Sequence, residues 1–483
     1  MIMTSFLCFL FCFVLIGLSS SFKKQATKED YLLATHNIKP WQVALASVAT
    51  NSSGYMFIGL IGFTYLTGLS SAWVMIGWVF GDLIASLFIH EQLRRHSEQS
   101  KALSFASALS RWHGTDYKLL RLIGGIITVI FLGVYAAAQL KAGSKAMEAL
   151  FGWPHFYGAV MGGAMVLVYC FAGGIRASIW TNVAQSFVMI VAMGLLFFVS
   201  IHSIGGFGAY WSKLALVQPG YLSLFPDNLQ LVALPAGWLI APFLFVMGWM
   251  FAGFGVVGQP HIMVHFMTMD QPNQMTRTRL YYYSWYTFFS AAAIGTGLAA
   301  RLLLPDVAHF DAELALPVLA GQLLPDVLVG LILAGLFAAT MSTADSQILC
   351  CTAAISNDLT PDDQTVSYMA TKFITVGVTL MALLIAMWGP DSVFSLVLIA
   401  WSALACAFAP LLTVYALNQR VSQVVALTMM LVGFATMMAW RLAGLTGVTY
   451  EILPGIMAGF SVFSIAKLLG LSQPAPRQNS DNC

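Results

Sequence analysis

Apolar stretches of about twenty residues recur along this chain, each cut off by a short polar break, and no other feature limits its fold so tightly. A helix of roughly 20 apolar residues crosses the ~30 Å hydrocarbon core of a bilayer. Thirteen such stretches can be placed, near 4–22, 40–66, 70–92, 119–147, 156–173, 179–205, 235–262, 279–303, 326–354, 371–388, 391–417, 422–441 and 450–469. Of the 483 residues, 59% are hydrophobic and 9% charged, against roughly 25% charged in an ordinary soluble domain. Burial on folding saturates at about three quarters of the surface even in large soluble domains, so the solvent around this chain must itself be apolar. The expected class is an all-α polytopic membrane protein of about 13 transmembrane helices, with residues 1–483 forming a single transmembrane domain.

The basic residues test that count. With the N-terminus outside and thirteen crossings, 17 of the 22 Lys and Arg residues fall inside and five (Lys141, Lys145, Lys213, Arg301, Arg441) fall outside. This skew follows the positive-inside rule, and a missed span would scramble it downstream. Met1–Leu10 carries no Lys or Arg, while Lys23, Lys24 and Lys28 follow the first apolar run. That order suits a retained first helix rather than a signal peptide. Net charge is +2 with no basic block, which argues against a nucleic-acid partner. The seven cysteines are scattered without zinc or disulfide spacing and read as small apolar residues.

Two spans are chemically unlike the rest. The second carries Ala49-Thr50-Asn51-Ser52-Ser53-Gly54 in its middle, and the seventh carries Gly253-Phe254-Gly255-Val256-Val257-Gly258-Gln259-Pro260. Glycine costs a helix about 1 kcal/mol and proline about 3, and backbone freed at membrane depth must find partners in protein or a wet cavity. These spans begin two successive five-span blocks, about 40–205 and about 235–417, flanked by extra helices at about 4–22, 422–441 and 450–469. Five is odd, so the blocks are expected to lie upside down relative to one another. Matched interruptions in inverted repeats point to a transporter's central site. Gly253-x-Gly255-x-x-Gly258 matches a dinucleotide-binding string, but that motif needs a preceding strand, and here it lies inside a span.

Three motifs carry a wider resemblance: ASVATNSSGYMFIGLIGFTYLTGL (46–69), GGIRASIWTNVAQ (173–185) with GQPHIMVHFM (258–267), and AGLFAATMSTADSQILCCTAAISNDL (334–359). In these the chain resembles the sodium/solute symporter family, and within it the sodium/proline symporter branch. The resemblance implies the LeuT-like 5+5 inverted repeat and a sodium-coupled symporter that imports a small organic solute by alternating access. It also implies a sodium site between the second and ninth spans, with the carbonyls of Ala49, Ser52 and Ala339 and the hydroxyls of Ser342 and Thr343 as ligands. Sodium is a hard cation that takes oxygen ligands, as calcium and magnesium do, and an unwound Ala49–Ser52 would free carbonyls to supply them.

This chain departs from many relatives in carrying Asn51 and Asn182 where they carry acids. Asp345 lies three residues past Ser342, on nearly the same helical face, and is expected to restore the charge with Ser346 and Asn182 as a second cation or proton site. Asp82 is the other acid inside a span and is given no role. Candidate substrate contacts beside the broken helices are Asn51, Ser53, Tyr135, Phe254 and Gln259. The family resemblance makes Tyr135 a substrate-facing aromatic, whereas Ala252 and Val256 stand where the proline symporter has large side chains. Freed amides at half-helix N-termini favour an anionic group, which makes an amino acid such as proline the first expectation. The competing reading is a transporter-like sensor acting with a separate signalling partner. No catalytic set appears in the spans, so an enzyme is not expected. The remaining expectations are sodium as co-transported ion, a lipid bilayer of plasma or inner-membrane type, and a monomer.

Overall fold

The computed structural model describes residues 1–226, 229, 237–304, 310–361, 364–389 and 393–471. Its main helices are α1 (Ile2–Ser19), α2 (Pro40–Gly54), α3 (Leu60–Thr67), α4 (Ala72–Gln99), α5 (Lys118–Phe151), α6 (His155–Ile204), α7 (Gly237–Phe254), α8 (Pro260–Met267), α9 (Met275–Leu303), α10 (Asp326–Ala353), α11 (Tyr368–Trp388), α12 (Val393–Ala416), α13 (Gln423–Leu442) and α14 (Ile452–Leu468). No strand occurs among the described residues. Ten described helical runs are long and apolar enough to cross a membrane. Two of them, Pro40–Gln99 and Phe156–Ile204, hold 60 and 49 residues. At about 1.5 Å per residue each is far longer than one crossing. The chain turns within them at Gly68 (φ 76°) and Gly174 (φ 58°), left-handed conformations that glycine adopts without strain. Gly174 also lies against the backbone of Tyr31, where no side chain would fit.

Most of α10 is buried, with almost every residue from Gly330 to Ala354 out of contact with solvent. It packs on α2, α5 and α6, so the centre of the bundle is a helix wrapped by protein while its neighbours turn one face to lipid. That central position lets it carry Ser342, Thr343 and Asp345, since polar groups at membrane depth need protein partners.

Contacts between the polar breaks sort into two sets. In one, Lys39 pairs with Asp270 (2.7 Å), Arg176 with Asp30, and Lys28 donates to the Ser356 carbonyl (2.8 Å). In the other, Lys145 pairs with Asp311 (3.2 Å) and Glu313 (2.6 Å), Lys141 donates to the Gly389 carbonyl (2.8 Å), and Arg441 pairs with Glu451 (2.8 Å). Counting Lys141 and Lys145 with the break that follows them, each of these contacts other than Arg441–Glu451, which spans a single break, joins segments separated by an even number of the expected spans, as two membrane surfaces require.

Candidate cation and solute site

Both unusual spans are interrupted. The second interruption falls where the sequence places it: α7 ends at Phe254, Gly255–Gly258 tightens into a 3-10 turn, Gln259 is extended (φ −97°, ψ 101°), and α8 starts at Pro260. Proline has no amide hydrogen and is at home at the first position of a helix. Gly258 permits the turn to touch α12, because a Cβ there would lie 2.9 Å from Ala405 Cα and 3.0 Å from Ala409 N.

The first interruption falls later than expected. Ala49–Ser52 remains helical, and the break is at Ser53 (φ 41°, ψ 175°), followed by a wide turn over Tyr55–Gly59. Positive φ at a residue with a Cβ is strained. Gln139 of α5 holds the break open, since its Oε1 accepts the Gly54 amide at 2.8 Å. In an unbroken helix that amide would close on the carbonyl of Thr50. Diverted to Gln139, it leaves the Thr50 oxygen to accept the Thr343 hydroxyl at 2.8 Å. The Ser342 hydroxyl lies 3.1 Å from both the Ala49 and Ala339 carbonyls, and the Thr343 hydroxyl is also 3.1 Å from Ala339 O. Five oxygens from α2 and α10 therefore meet in one buried place (Ala49 O, Thr50 O, Ala339 O, Ser342 Oγ and Thr343 Oγ1). Such an all-oxygen set suits a hard cation.

A second cluster lies one turn along α10. The Asp345 carboxyl group is fully buried and accepts from Ser178 (2.8 Å), Ser346 (2.9 Å) and Tyr169 (2.9 Å), with Asn182 Nδ2 at 3.4 Å. Asn182 also reaches Thr50 Oγ1 (3.3 Å) and the Ser342 carbonyl (3.2 Å), while its own Oδ1 is unpartnered. His265 of α8 joins through Thr50 (3.1 Å) and Ser346 (3.0 Å). Both broken helices and α10 thus share one polar network.

The comparisons with known proteins agree with this geometry. Residues 31–433 match the model of the sodium:solute symporter family. The chain belongs to that family. Among curated relatives, the sodium/proline symporter of Escherichia coli (strain K12) is 28% identical, covering 99% of this chain and 94% of its own. The high-affinity proline transporter of Bacillus subtilis (strain 168) is 27% identical over 93% of this chain and 94% of its own. A sodium-coupled sialic acid symporter, solved substrate-bound and outward-open, superposes with a TM-score of 0.82 at 17% identity, over 99% of each chain. The fold is LeuT-like, and the protein is a sodium-coupled symporter of a small organic solute with sodium as the co-transported ion.

Within this symporter, the residues expected around sodium are mostly brought together. Ala49, Ala339, Ser342 and Thr343 meet, while the Ser52 carbonyl accepts the Tyr55 amide and its hydroxyl bonds back to Val48 O (2.8 Å). Thr50 takes the place given to Ser52, a substitution that follows from the later break. Asp345, Ser346 and Asn182 form one cluster, as just described.

The substrate candidates divide. Tyr135 reaches Ser53 Oγ at 3.5 Å and stacks edge-on against His261 (5.5 Å). Gln259 is close by along the chain but donates to the Trp401 carbonyl (3.0 Å), leaving its Oε1 unpartnered. Asn51 turns the other way, donating to the Tyr282 hydroxyl at 2.6 Å. Phe254 packs on Phe251 and on Phe460 of α14. The amides expected to stand free at the first break are capped, Gly54 by Gln139 and Tyr55 by Ser53 Oγ (3.1 Å). An anionic group would have to displace the serine hydroxyl and compete with the Ser52 carbonyl at the Tyr55 amide. Sequence reasoning missed Gln139, Tyr169, Ser178, His265 and Tyr282 as site residues. Gln139 was visible as a polar residue within a span, the signal that could have found it.

Proposed function

We propose that this symporter imports an amino acid, proline first among candidates, and that one sodium ion is held by Ala49, Thr50, Ala339, Ser342 and Thr343. The relatives named above support the substrate class through their own described substrates. The observation that carries the cation reading is the Gln139-supported break in α2, which turns carbonyl oxygens toward two hydroxyls on α10. A cation there ties the broken helix to α10 and so favours one conformation of the pair. The solute would lie between the Ser53 and Tyr135 hydroxyls and His261, its carboxylate replacing Ser53 Oγ at the Tyr55 amide. Asp345, Ser346 and Asn182 would form a second cation or proton site that shares Ser342 and Thr50 with the first.

The two blocks of about 40–205 and about 235–417 serve in this proposal as inverted halves, with thirteen crossings, the N-terminus outside and the C-terminus inside. The sorting of ion pairs between polar breaks supports that parity, and the basic-residue skew supports its direction. On the inner side the segment entering the first broken helix is pinned to the segment leaving the second. Ile38 and Met269 form a parallel bridge, Asp270 N donates to Ile38 O (2.9 Å), His36 Nδ1 bonds Met267 O (2.7 Å), and Arg94 reaches Met269 O. On the outer side a cavity of about 560 Å³ is lined by Phe63, Trp249, Arg441, Tyr450 and Glu451, among others. This arrangement supports an alternating-access cycle captured with its inner gate shut. Each charge carried inward through about 100 mV contributes roughly 2.3 kcal/mol to accumulation.

The test is uptake into proteoliposomes of labelled proline beside other amino acids, sugars and carboxylates, with and without an inward sodium gradient. Proline accumulation that collapses without sodium is expected. Accumulation of a different solute class would overturn the substrate proposal, and accumulation indifferent to Ser342 and Thr343 substitution would overturn the proposed sodium ligands.

A further inference from the structure

Asp82 stands in the middle of α4, fully buried, and neither of its carboxylate oxygens makes a hydrogen bond of ordinary length and angle. An uncompensated charge in a span is expensive, and such residues face a functional interior or a partner. One side of Asp82 is shut. Its neighbour Gly81 lets α4 lie directly against α7, where a Cβ would fall 2.7 Å from the Phe254 amide nitrogen. On another side stand Tyr282 and Tyr283 of α9, whose hydroxyls lie near enough to act on the carboxyl group. Tyr286 and Asn51 complete the surroundings through the same tyrosines.

Among the described residues no Lys, Arg or His side chain pairs with this carboxylate. Arg279, about one turn before Tyr283, spends its guanidinium on the Ser86 carbonyl (2.6 Å), and His90 stacks on Phe266 (3.9 Å). The Tyr282 hydroxyl accepts from Asn51 Nδ2 at 2.6 Å, which ties Asp82 to the broken helix two residues before the break at Ser53. Around that tyrosine pair Asp82 Oδ1 and Oδ2, Asn51 Oδ1 and the Tyr283 hydroxyl are buried, and none makes a hydrogen bond of ordinary length and angle, although both tyrosine hydroxyls lie close to the carboxylate. One proton would satisfy one carboxylate oxygen and leave the amide oxygen bare. A monovalent metal ion takes several oxygens at once and cancels the single negative charge.

We propose that Asp82, with Asn51 Oδ1 and the hydroxyls of Tyr282 and Tyr283, binds a monovalent metal cation at a site separate from Ser342 and Thr343. The two sites would flank α2 just ahead of its break. Ala49 and Thr50 face α10 through their carbonyls, and Asn51 faces α9 and α4 through its side chain. A cation beside Asn51 would add a second hold on the segment that must rearrange. Sodium is the ion to try first because the chain is a sodium symporter, but the site does not depend on the reading of Ser342 and Thr343.

The experiment is equilibrium binding of radioactive sodium to the purified full-length protein in nanodiscs, without solute and without a gradient, at several pH values. Asp82→Asn is expected to lower the sodium bound per protein by one. Tyr283→Phe, which keeps the carboxylate, is expected to weaken one binding component about tenfold at unchanged stoichiometry. Unchanged stoichiometry in Asp82→Asn together with unchanged affinity in Tyr283→Phe would overturn the proposal. So would an Asp82→Asn protein that binds the full complement of sodium but loses a pH dependence, which would make Asp82 a proton site. The double variant Ser342→Ala, Thr343→Ala separates the two readings, because its loss of one ion should add to that of Asp82→Asn.

Discussion

The hydroxyl of Thr343 donates to the carbonyl of Thr50 at 2.8 Å, joining the deeply buried α10 to the last turn of a helix that stops three residues later. The bond exists because Gln139 has taken the amide that would otherwise close on that carbonyl. A cation placed between the hydroxyl and the carbonyl would exchange a weak neutral bond for charge-assisted contacts. Hydrogen-bonding groups that serve a charged partner are worth about 1.5–3 kcal/mol each. Ser342→Ala and Thr343→Ala are therefore each expected to raise the sodium concentration for half-maximal uptake by roughly tenfold to a hundredfold. Thr343→Ser, which keeps the hydroxyl, should stay near the parent. Sodium titration of initial uptake rates in proteoliposomes reads the difference, and an unmoved sodium dependence in both alanine variants would remove these side chains from the site.

The break in α2 has its own requirement. A Cβ on Gly54 would lie 2.6 Å from Thr340 Cγ2 and 3.0 Å from Gln139 Oε1. Gly54→Ala must push α2 away from α10 or expel the glutamine, and either movement separates the oxygens that meet there. The expected outcome is protein that reaches the membrane in normal amount with at least tenfold less sodium-driven uptake. Gln139→Ala leaves the Gly54 amide free to close on Thr50, and a buried polar group that loses its partner costs about 1–3 kcal/mol. Hydrogen exchange at Gly54 and uptake measured on the same preparations check both variants.

Asp345 accepts from three hydroxyls on three different segments, Tyr169, Ser178 and Ser346. If the cluster holds a second cation, Asp345→Asn should change the ratio of sodium to solute carried. Tyr169→Phe, which removes one donor and leaves the charge, should weaken sodium binding without changing that ratio. Reversal-potential measurements on proteoliposomes give the ratio directly. An Asp345→Asn protein with unchanged ratio and unchanged sodium dependence would reduce the cluster to scaffolding.

How far these features could be read from sequence follows from the range of the interactions. The apolar runs and the interruption at Gly255–Pro260 were legible because their causes are local: side-chain hydropathy, missing Cβ atoms and a missing amide hydrogen. The place of the first interruption was not. Nothing between Ala49 and Gly54 distinguishes a break at Ser52 from one at Ser53, and the group that decides it, Gln139, lies 85 residues away. Ser342 and Thr343 could be named from their motif, yet their partner Thr50 could not, for the same reason. Asp82 could be recognised as an acid in a span, but its tyrosine neighbours come from α9 and are revealed only by packing.

The gate proposed above, at the contact between His36 and the end of α8, is expected to weaken as pH falls. His36 bonds the Met267 carbonyl where the segment entering α2 meets the segment leaving α8. Burial is the largest influence on its imidazole and holds it below the ordinary value; the Met267 bond opposes this, Arg94 adds to it, and Glu98 and Glu29 oppose it weakly. The closed gate therefore binds fewer protons at this residue than an open gate with His36 in water. Its stabilisation of closure is fully present above the free histidine value of about 6.5 and is lost as pH falls from there toward the lowered value. A single cysteine placed on the inner side of α8 should become more reactive to a water-soluble thiol reagent as pH drops from about 7.5 to about 5.5, after correction for thiolate fraction. His36→Gln, which keeps a donor toward Met267 but cannot titrate in this range, should flatten that profile. An equal pH response in the glutamine variant would place the switch elsewhere, with the Lys39–Asp270 pair at 2.7 Å the next contact to break.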